Sequence, residues 1–230
     1  HEDCRRQRQM CIRDSYNKQD KYEYAGASGG YLDFLGYPFC RGRILGNIEK
    51  SDKYNTTREI FWASGSCFII RKSIFKLLNG FDEDFFCHME EIDLCWRLKN
   101  LDSSYKIITI GKANVYHVGG GTMQYGGNRK NYLNFRNSLV MLIKNLPKKY
   151  FIFSLFLRLI CDLFILIFSV LLFRFGLSFS ILSAYYFNIL NFRKSLSKRK
   201  KGLGSYKYFI CFSILINYYF FGKKTFSSIK

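Results

Sequence analysis

The sequence predicts a mixed α/β domain followed by apolar, basic helices that face a membrane, and three observations carry that expectation. Up to Pro147, strand-length stretches rich in β-branched and aromatic residues alternate with stretches whose apolar residues recur at helical spacing. Turn residues separate them, Asn79-Gly80 and Pro147 most plainly. Beyond Pro147 the composition shifts: Tyr150 to Phe192 is nearly all Phe, Leu, Ile, Tyr and Ser, broken by the charges Arg158, Asp162 and Arg174. With 48% hydrophobic and 19% aromatic residues in 230, the chain has material for one core with an appendage, which argues against disorder.

Tyr24 to Gly46 alternates small, aromatic and glycine residues and reads as loop with short strand pieces. Ile60 to Ile70 reads as a strand interrupted by Ser64-Gly65-Ser66, where backbone can approach a ligand closely. Ser73 to Leu78 is expected as a short helix stopped by Asn79-Gly80, residues that tolerate a left-handed cap. Glu90 to Asn100 is a second helix, with Ile92, Cys95, Trp96 and Leu98 toward the core. Tyr105 to Ile110 and Ala113 to Val118 are expected as two strands, the second running into Gly119-Gly120-Gly121-Thr122. Asn131 to Asn145 has helical spacing and stops before Pro147.

The formal net charge is +19, and Lys144 to Lys230 holds a single acid, Asp162, so that half is expected to seek an anionic surface. Arg158 and Asp162 stand one helical turn apart and can pair, yet each would cost about 2.5 to 3.5 kcal/mol near a bilayer centre. Helices lying in the interface are therefore expected, with a short inserted hairpin as the second choice. The run Lys198 to Lys201 adds about 1 kcal/mol of attraction to anionic lipid per charge. Eight cysteines without a C-x-x-C pair or framework spacing fit a reducing, cytosolic setting. No signal peptide opens the chain. Instead Met10-Cys11-Ile12-Arg13-Asp14-Ser15 looks like a translated transposon-end adapter from sequencing libraries, so residues 1–15 are expected to be a scar.

The segment from Gly80 to Arg97 concentrates the chemistry: a glycine turn, paired aromatics and a carboxylate cluster against the start of an amphipathic helix. On that helix successive side chains diverge by about 100°, so Glu90 and Glu91 cannot both face one substrate atom. Glu90, Asp93 and Arg97 share a face, with an Asp93–Arg97 ion pair expected, which leaves Glu91 free for a cleft. The bland explanation is that acids simply suit a helix N-terminus through its macrodipole, and without context it wins.

Context comes from four motifs in order: Trp62-Ala63-Ser64-Gly65-Ser66, Gly80-Phe81-Asp82-Glu83, Glu90-Glu91-Ile92-Asp93-Leu94-Cys95-Trp96-Arg97 and Tyr116-His117-Val118-Gly119-Gly120-Gly121-Thr122. Together they resemble the C-terminal half of the family 2 glycosyltransferases, most closely the bacterial rhamnosyltransferase-like branch, from about Gly29 to about Pro147. The resemblance implies a GT-A fold and an inverting transfer of a sugar from a nucleotide-diphosphate sugar to an acceptor hydroxyl. By it Glu91 is the general base, at a position where most members of the family carry Asp. His117 matches a histidine that joins a divalent metal, Mn or Mg, whose D-x-D ligands are missing from this chain. Ser64, Gly65 and Ser66 would lie against the donor sugar, Asp82 and Glu83 near the acceptor, and Arg136 toward the diphosphate.

Asp82-Glu83-Asp84 spells D-x-D but sits in the acceptor-side turn of the resemblance and is rejected as the metal motif. The expected division is a scar at 1–15, the acceptor-side half of a catalytic domain at 16–147, and a membrane-associated helical basic tail at 148–230. The expected partners are a nucleotide sugar, a glycan or lipid-linked acceptor of cell-surface polysaccharide, and the cytoplasmic face of a bacterial inner membrane. Without the missing strands the fragment itself is expected to be inactive. A non-catalytic adaptor binding anionic lipid or RNA is the competing class, although no RNA-binding signature appears. A zinc site from Cys87, His88, Cys95 and His117 lacks the usual ligand spacing.

Overall fold

The computed structural model describes residues 6–14, 28–117, 127–199 and 206–229, with 6–14 and 114–117 described as backbone alone. In chain order the elements are β1 (Arg6–Asp14), β2 (Gly30–Leu32), β3 (Pro38–Cys40), β4 (Arg43–Ile44), β5 (Asn47–Ile48), β6 (Arg58–Ile60) and β7 (Phe68–Ile69). There follow α1 (Lys72–Leu77), α2 (Glu90–Leu101), β8 (Lys106–His117), α3 (Asn128–Asn145), α4 (Phe151–Leu171), α5 (Phe175–Leu190), α6 (Phe192–Ser197), α7 (Ile214–Tyr219) and α8 (Phe226–Ile229). The mixed α/β class expected from the alternating periods is what forms.

One sheet has the order β6-β8-β1-β7, with β1 parallel to β8 and the two outer strands antiparallel to their neighbours; the other is the antiparallel meander β2-β3-β4-β5. The stretch from Ile60 to Ile70 is thus not one strand. The turn at Ser64-Gly65-Ser66 sends its two ends to opposite edges of the sheet, β6 onto β8 and β7 onto β1. Conversely, the two strands expected at 105–118 merge into the single β8. The break between them is a bulge, where the register slips from Met10↔Ile110 to Cys11↔Asn114. Gly111 sits in that bulge because nothing larger fits: a Cβ there would lie 2.1 Å from the Asn55 carbonyl carbon and oxygen. The stretch expected to be adapter-derived supplies β1, an inner strand of the sheet between β8 and β7.

The core lies between the sheets and α2, centred on Trp96, which is fully buried with Phe61 set edge-on at 5.7 Å and Tyr208 at 4.9 Å. Tyr208, Ile214, Phe226 and Ile229 belong to this same core, so the segment after residue 205 packs back onto the domain. Asp33 fastens it: its buried carboxyl accepts N–H bonds from Tyr37 at 2.8 Å and Ile214 at 2.8 Å. Burial pushes that carboxyl up to about 7, against the pull of those two amides. Between α3 and this returning segment, α4 and α5 form a helical hairpin against α3 and the Phe34–Tyr37 turn.

Candidate active site at the head of α2

The site is built by a turn that the sequence makes costly and α3 makes possible. Phe86, His88 and Met89 all have positive φ, at 63°, 69° and 71°, immediately before Glu90. Each such non-glycine residue costs on the order of 1 to 3 kcal/mol and persists where its surroundings over-determine it. Asn137 provides the restraint: its Nδ2 donates to the carbonyls of Phe85 at 2.9 Å, Cys87 at 2.8 Å and His88 at 2.8 Å. Arg136 Nη2 adds bonds to the carbonyls of Asp84 at 2.9 Å and Phe85 at 2.8 Å.

Below the turn, a charged frame fixes α2. Asp93, fully buried, accepts from Arg97 Nε at 2.7 Å, Asn145 Nδ2 at 2.7 Å and Lys144 Nζ at 2.9 Å. Arg97 spends its remaining N–H groups on the Leu78 and Gly80 carbonyls. Lys144 bridges to Asp82 at 2.6 Å, and Lys198 reaches both Asp82 at 2.6 Å and Asp84 at 2.7 Å. Burial pushes the Asp82 carboxyl up, but the two lysines outweigh it and hold the group well below the usual carboxylate range. The Asp93–Arg97 pair expected on a helix surface therefore belongs to an interior network that ties α2, α3 and the 78–84 turn together.

Above this frame Glu91 points beside Gly65: a methyl group built on that glycine would sit 3.8 Å from Glu91 Cδ and 3.9 Å from Oε1. Oε2 of Glu91, Oε2 of Glu90 and Nε2 of His88 are buried with no hydrogen-bond partner among the described residues. Burial pushes the Glu91 carboxyl up to about 7; the Glu90 charge adds to the rise, and the amides of Glu91 and Gly65 oppose it. Burial raises Glu90 as well and lowers His88, the latter helped by the Lys130 charge. A carboxyl poised near neutrality, with one oxygen left without a partner among the described residues and a small residue beside it, suits proton transfer from a bound hydroxyl.

The expected site residues divide. Glu91 and Gly65 meet, and Ser64 and Ser66 are joined at 3.3 Å through their hydroxyls in the same turn. Asp82 lies on the neighbouring turn, engaged with lysines; Arg136 reaches that turn from α3 and bonds its carbonyls, and Glu83 is exposed to solvent. His117 ends β8, but its side chain and the Gly119-Gly120-Gly121-Thr122 loop lie outside the described residues. Among the described residues no three His, Cys, Asp or Glu side chains cluster as metal ligands, and Asp82 and Asp84 are occupied by lysines. The described residues thus do not on their own fit a divalent cation. Sequence reasoning weighed His88 only as a zinc ligand and missed Lys130, whose charge acts on His88 from the first turn of α3; nothing in the local pattern links the two.

No family model matches the chain. Its similarity to characterised proteins is to glycosyltransferases, through a short segment. The N-acetylglucosaminyl-diphospho-decaprenol L-rhamnosyltransferase of Mycobacterium tuberculosis is 38% identical over 60 residues, 26% of this chain and 19% of that protein. Rhamnosyltransferase WbbL of Escherichia coli K12 is 43% identical over 66 residues, 29% of this chain and 24% of that protein. The chain thus matches about a fifth to a quarter of the length of these curated relatives.

Proposed function

We propose that this chain is the acceptor-side part of a family 2, GT-A glycosyltransferase that transfers a sugar with inversion from a nucleotide-diphosphate sugar to a hydroxyl of a lipid-linked or cell-surface polysaccharide acceptor. The single observation that carries the reading is the Glu91 carboxyl beside Gly65, its Oε2 buried without a partner among the described residues and its pKa pushed up to about 7 by burial. In the step assigned to it, the Glu91 carboxylate takes the acceptor hydroxyl proton as that oxygen bonds to the anomeric carbon. The bond from that carbon to the diphosphate oxygen breaks, its electron pair leaves with the nucleoside diphosphate, and one displacement inverts the centre. The strained turn and the Asp93 network hold Glu91 still, and Gly65 leaves room for a sugar.

A divalent metal, with His117 as one ligand and the rest from outside the described residues, would neutralise charge on the departing diphosphate. The relatives' names make L-rhamnose the first donor sugar to test. The basic, apolar second half supports a location at the cytoplasmic face of a bacterial inner membrane. The test joins the chain to its upstream coding sequence and measures transfer from nucleotide-activated L-rhamnose to a lipid-linked acceptor. Glu91→Gln is expected to abolish turnover, Glu91→Asp to keep part of it, and the present chain alone to give none. Undiminished turnover in Glu91→Gln overturns the assignment of the base.

A further inference from the structure

We infer that the α4–α5 hairpin is a monotopic anchor: its outer face takes the acyl chains of one leaflet of an anionic bilayer, and neither helix crosses. The inference deepens the membrane-side placement above, but it rests on the polarity of the hairpin and on no transfer chemistry. That polarity is inverted. Ser154, Arg158, Asp162 and Ser169 of α4 are buried, as are Ser178, Ser180 and Asn188 of α5. Phenylalanines, leucines and isoleucines cover the outside, with Phe164 58%, Phe173 81% and Phe179 73% exposed. For helices facing water this order is backwards; against hydrocarbon it is the ordinary one.

The buried polar groups form a hydrogen-bonded seam, in which Asn188 Oδ1 is left without a partner among the described residues. Ser154 Oγ donates to the Phe34 carbonyl at 2.8 Å, and Arg158 bonds Asp162 at 2.8 Å and Ser138 of α3 at 2.9 Å. Asp162 also accepts from the hydroxyls of Tyr37 and Tyr185. Ser169 meets Ser178 at 2.7 Å across the hairpin, Ser180 donates to the Asn128 carbonyl at 2.9 Å, and Asn188 to the Arg136 carbonyl at 3.1 Å. The charges that argued against bilayer insertion are thus turned inward, away from any lipid.

The same seam rules out a crossing. The stretch Lys148–Leu171 is long and apolar enough to span, since the 21 residues of α4 reach about 31 Å. Yet α5 lies along α3 from Asn128, where a Cβ on Gly176 would come within 2.4 Å of the amide, to Arg136 beside Asn188. The depth of α5 is therefore the depth of α3, whose first half carries Arg129, Lys130, Asn131, Asn134 and Arg136. Burying each of those cations in the bilayer core would cost about 2.5 to 3.5 kcal/mol. A flat hairpin avoids this, and it sets exposed Lys148, Lys149, Arg174 and Arg193 at its two ends, where anionic head groups attract each by about 1 kcal/mol.

The test floats the full chain with vesicles of phosphatidylglycerol and phosphatidylcholine, and with phosphatidylcholine alone. Association with the anionic vesicles is expected. It should fall by about tenfold or more in Phe164→Glu/Phe179→Glu, whose urea midpoint stays unchanged because both rings are already exposed. Depth is read with Phe164→Trp, midway along α4, in lipids brominated near the head groups or at the chain ends. Stronger quenching by the shallow bromines is expected. Strongest quenching at the chain ends means a crossing helix and overturns the inference. Failure to float, or a face occupied instead by a second copy that excludes vesicles, overturns it equally.

Discussion

Glu91→Gln should stabilise the folded protein at neutral and alkaline pH and leave its stability unchanged in acid. Burial raises the Glu91 carboxyl to about 7 from an ordinary value of 4.5, so the folded state holds its proton more tightly than the unfolded chain does. Stability from this group is fully present below about 4.5 and is lost as pH rises through about 7, after which the loss is constant. At about 1.4 kcal/mol per tenfold, that interval sets a ceiling of about 3 kcal/mol. Glu91 keeps some contact with water, which reduces the expected gain of the glutamine variant above pH 7.5 to about 1 to 2 kcal/mol. In melting temperature this is on the order of 2 to 8 °C for a chain of this size. Asp33 and Glu90 titrate upward too, so both proteins lose stability with pH, and the difference between them reports Glu91 together with its coupling to Glu90. Urea unfolding in a non-ionic detergent between pH 4.5 and 8.5 measures it. A difference independent of pH refutes the argument that burial sets the state of this carboxyl.

Three further outcomes follow from the packing. Gly111→Ala drives a methyl group into the Asn55 carbonyl and should cost about 2 to 3 kcal/mol by urea denaturation. Asn137→Ala frees three carbonyls of the strained turn and should cost about 2 to 4 kcal/mol; it also removes the pH-dependent gain of Glu91→Gln, because the loosened turn admits water to the carboxyl. Arg158→Ala leaves Asp162 buried with only two tyrosine hydroxyls and should cost about 3 to 5 kcal/mol, and adding Asp162→Asn should recover part of that in the same denaturation assay.

The element types were legible because their periods are strong: α2 begins at Glu90 as its spacing implies, and α3 ends before Pro147. Helix α3 starts a turn earlier than its apolar spacing suggests, since Asn128, Arg129 and Lys130 form its solvated first turn. What stayed hidden was long-range. Nothing local distinguishes Ile60 and Ile69 as residues of opposite sheet edges, nor shows that Lys144 lies 62 positions from its partner Asp82. At the site, the spacing of Glu90 and Glu91 set Glu91 apart, while the clamp by Asn137 depends on carbonyls that no side-chain pattern records. Arg136 was singled out for its charge, and the structure shows that charge turned toward backbone carbonyls of the turn.

The hairpin leaves the domain after α3 and rejoins it through Arg199, bonded to the carbonyls of Ile143 and Leu146, and then through Tyr208 and Ile214. The excursion is thus fastened to the domain at both stems. On the anchoring inferred above, the tilt of the hairpin in the bilayer is passed to α3, and through Asn137 to the turn that holds Glu91. If the proposed acceptor is confined to the same leaflet, encounter becomes a search in two dimensions, with the angle of approach decided by how the protein is moored.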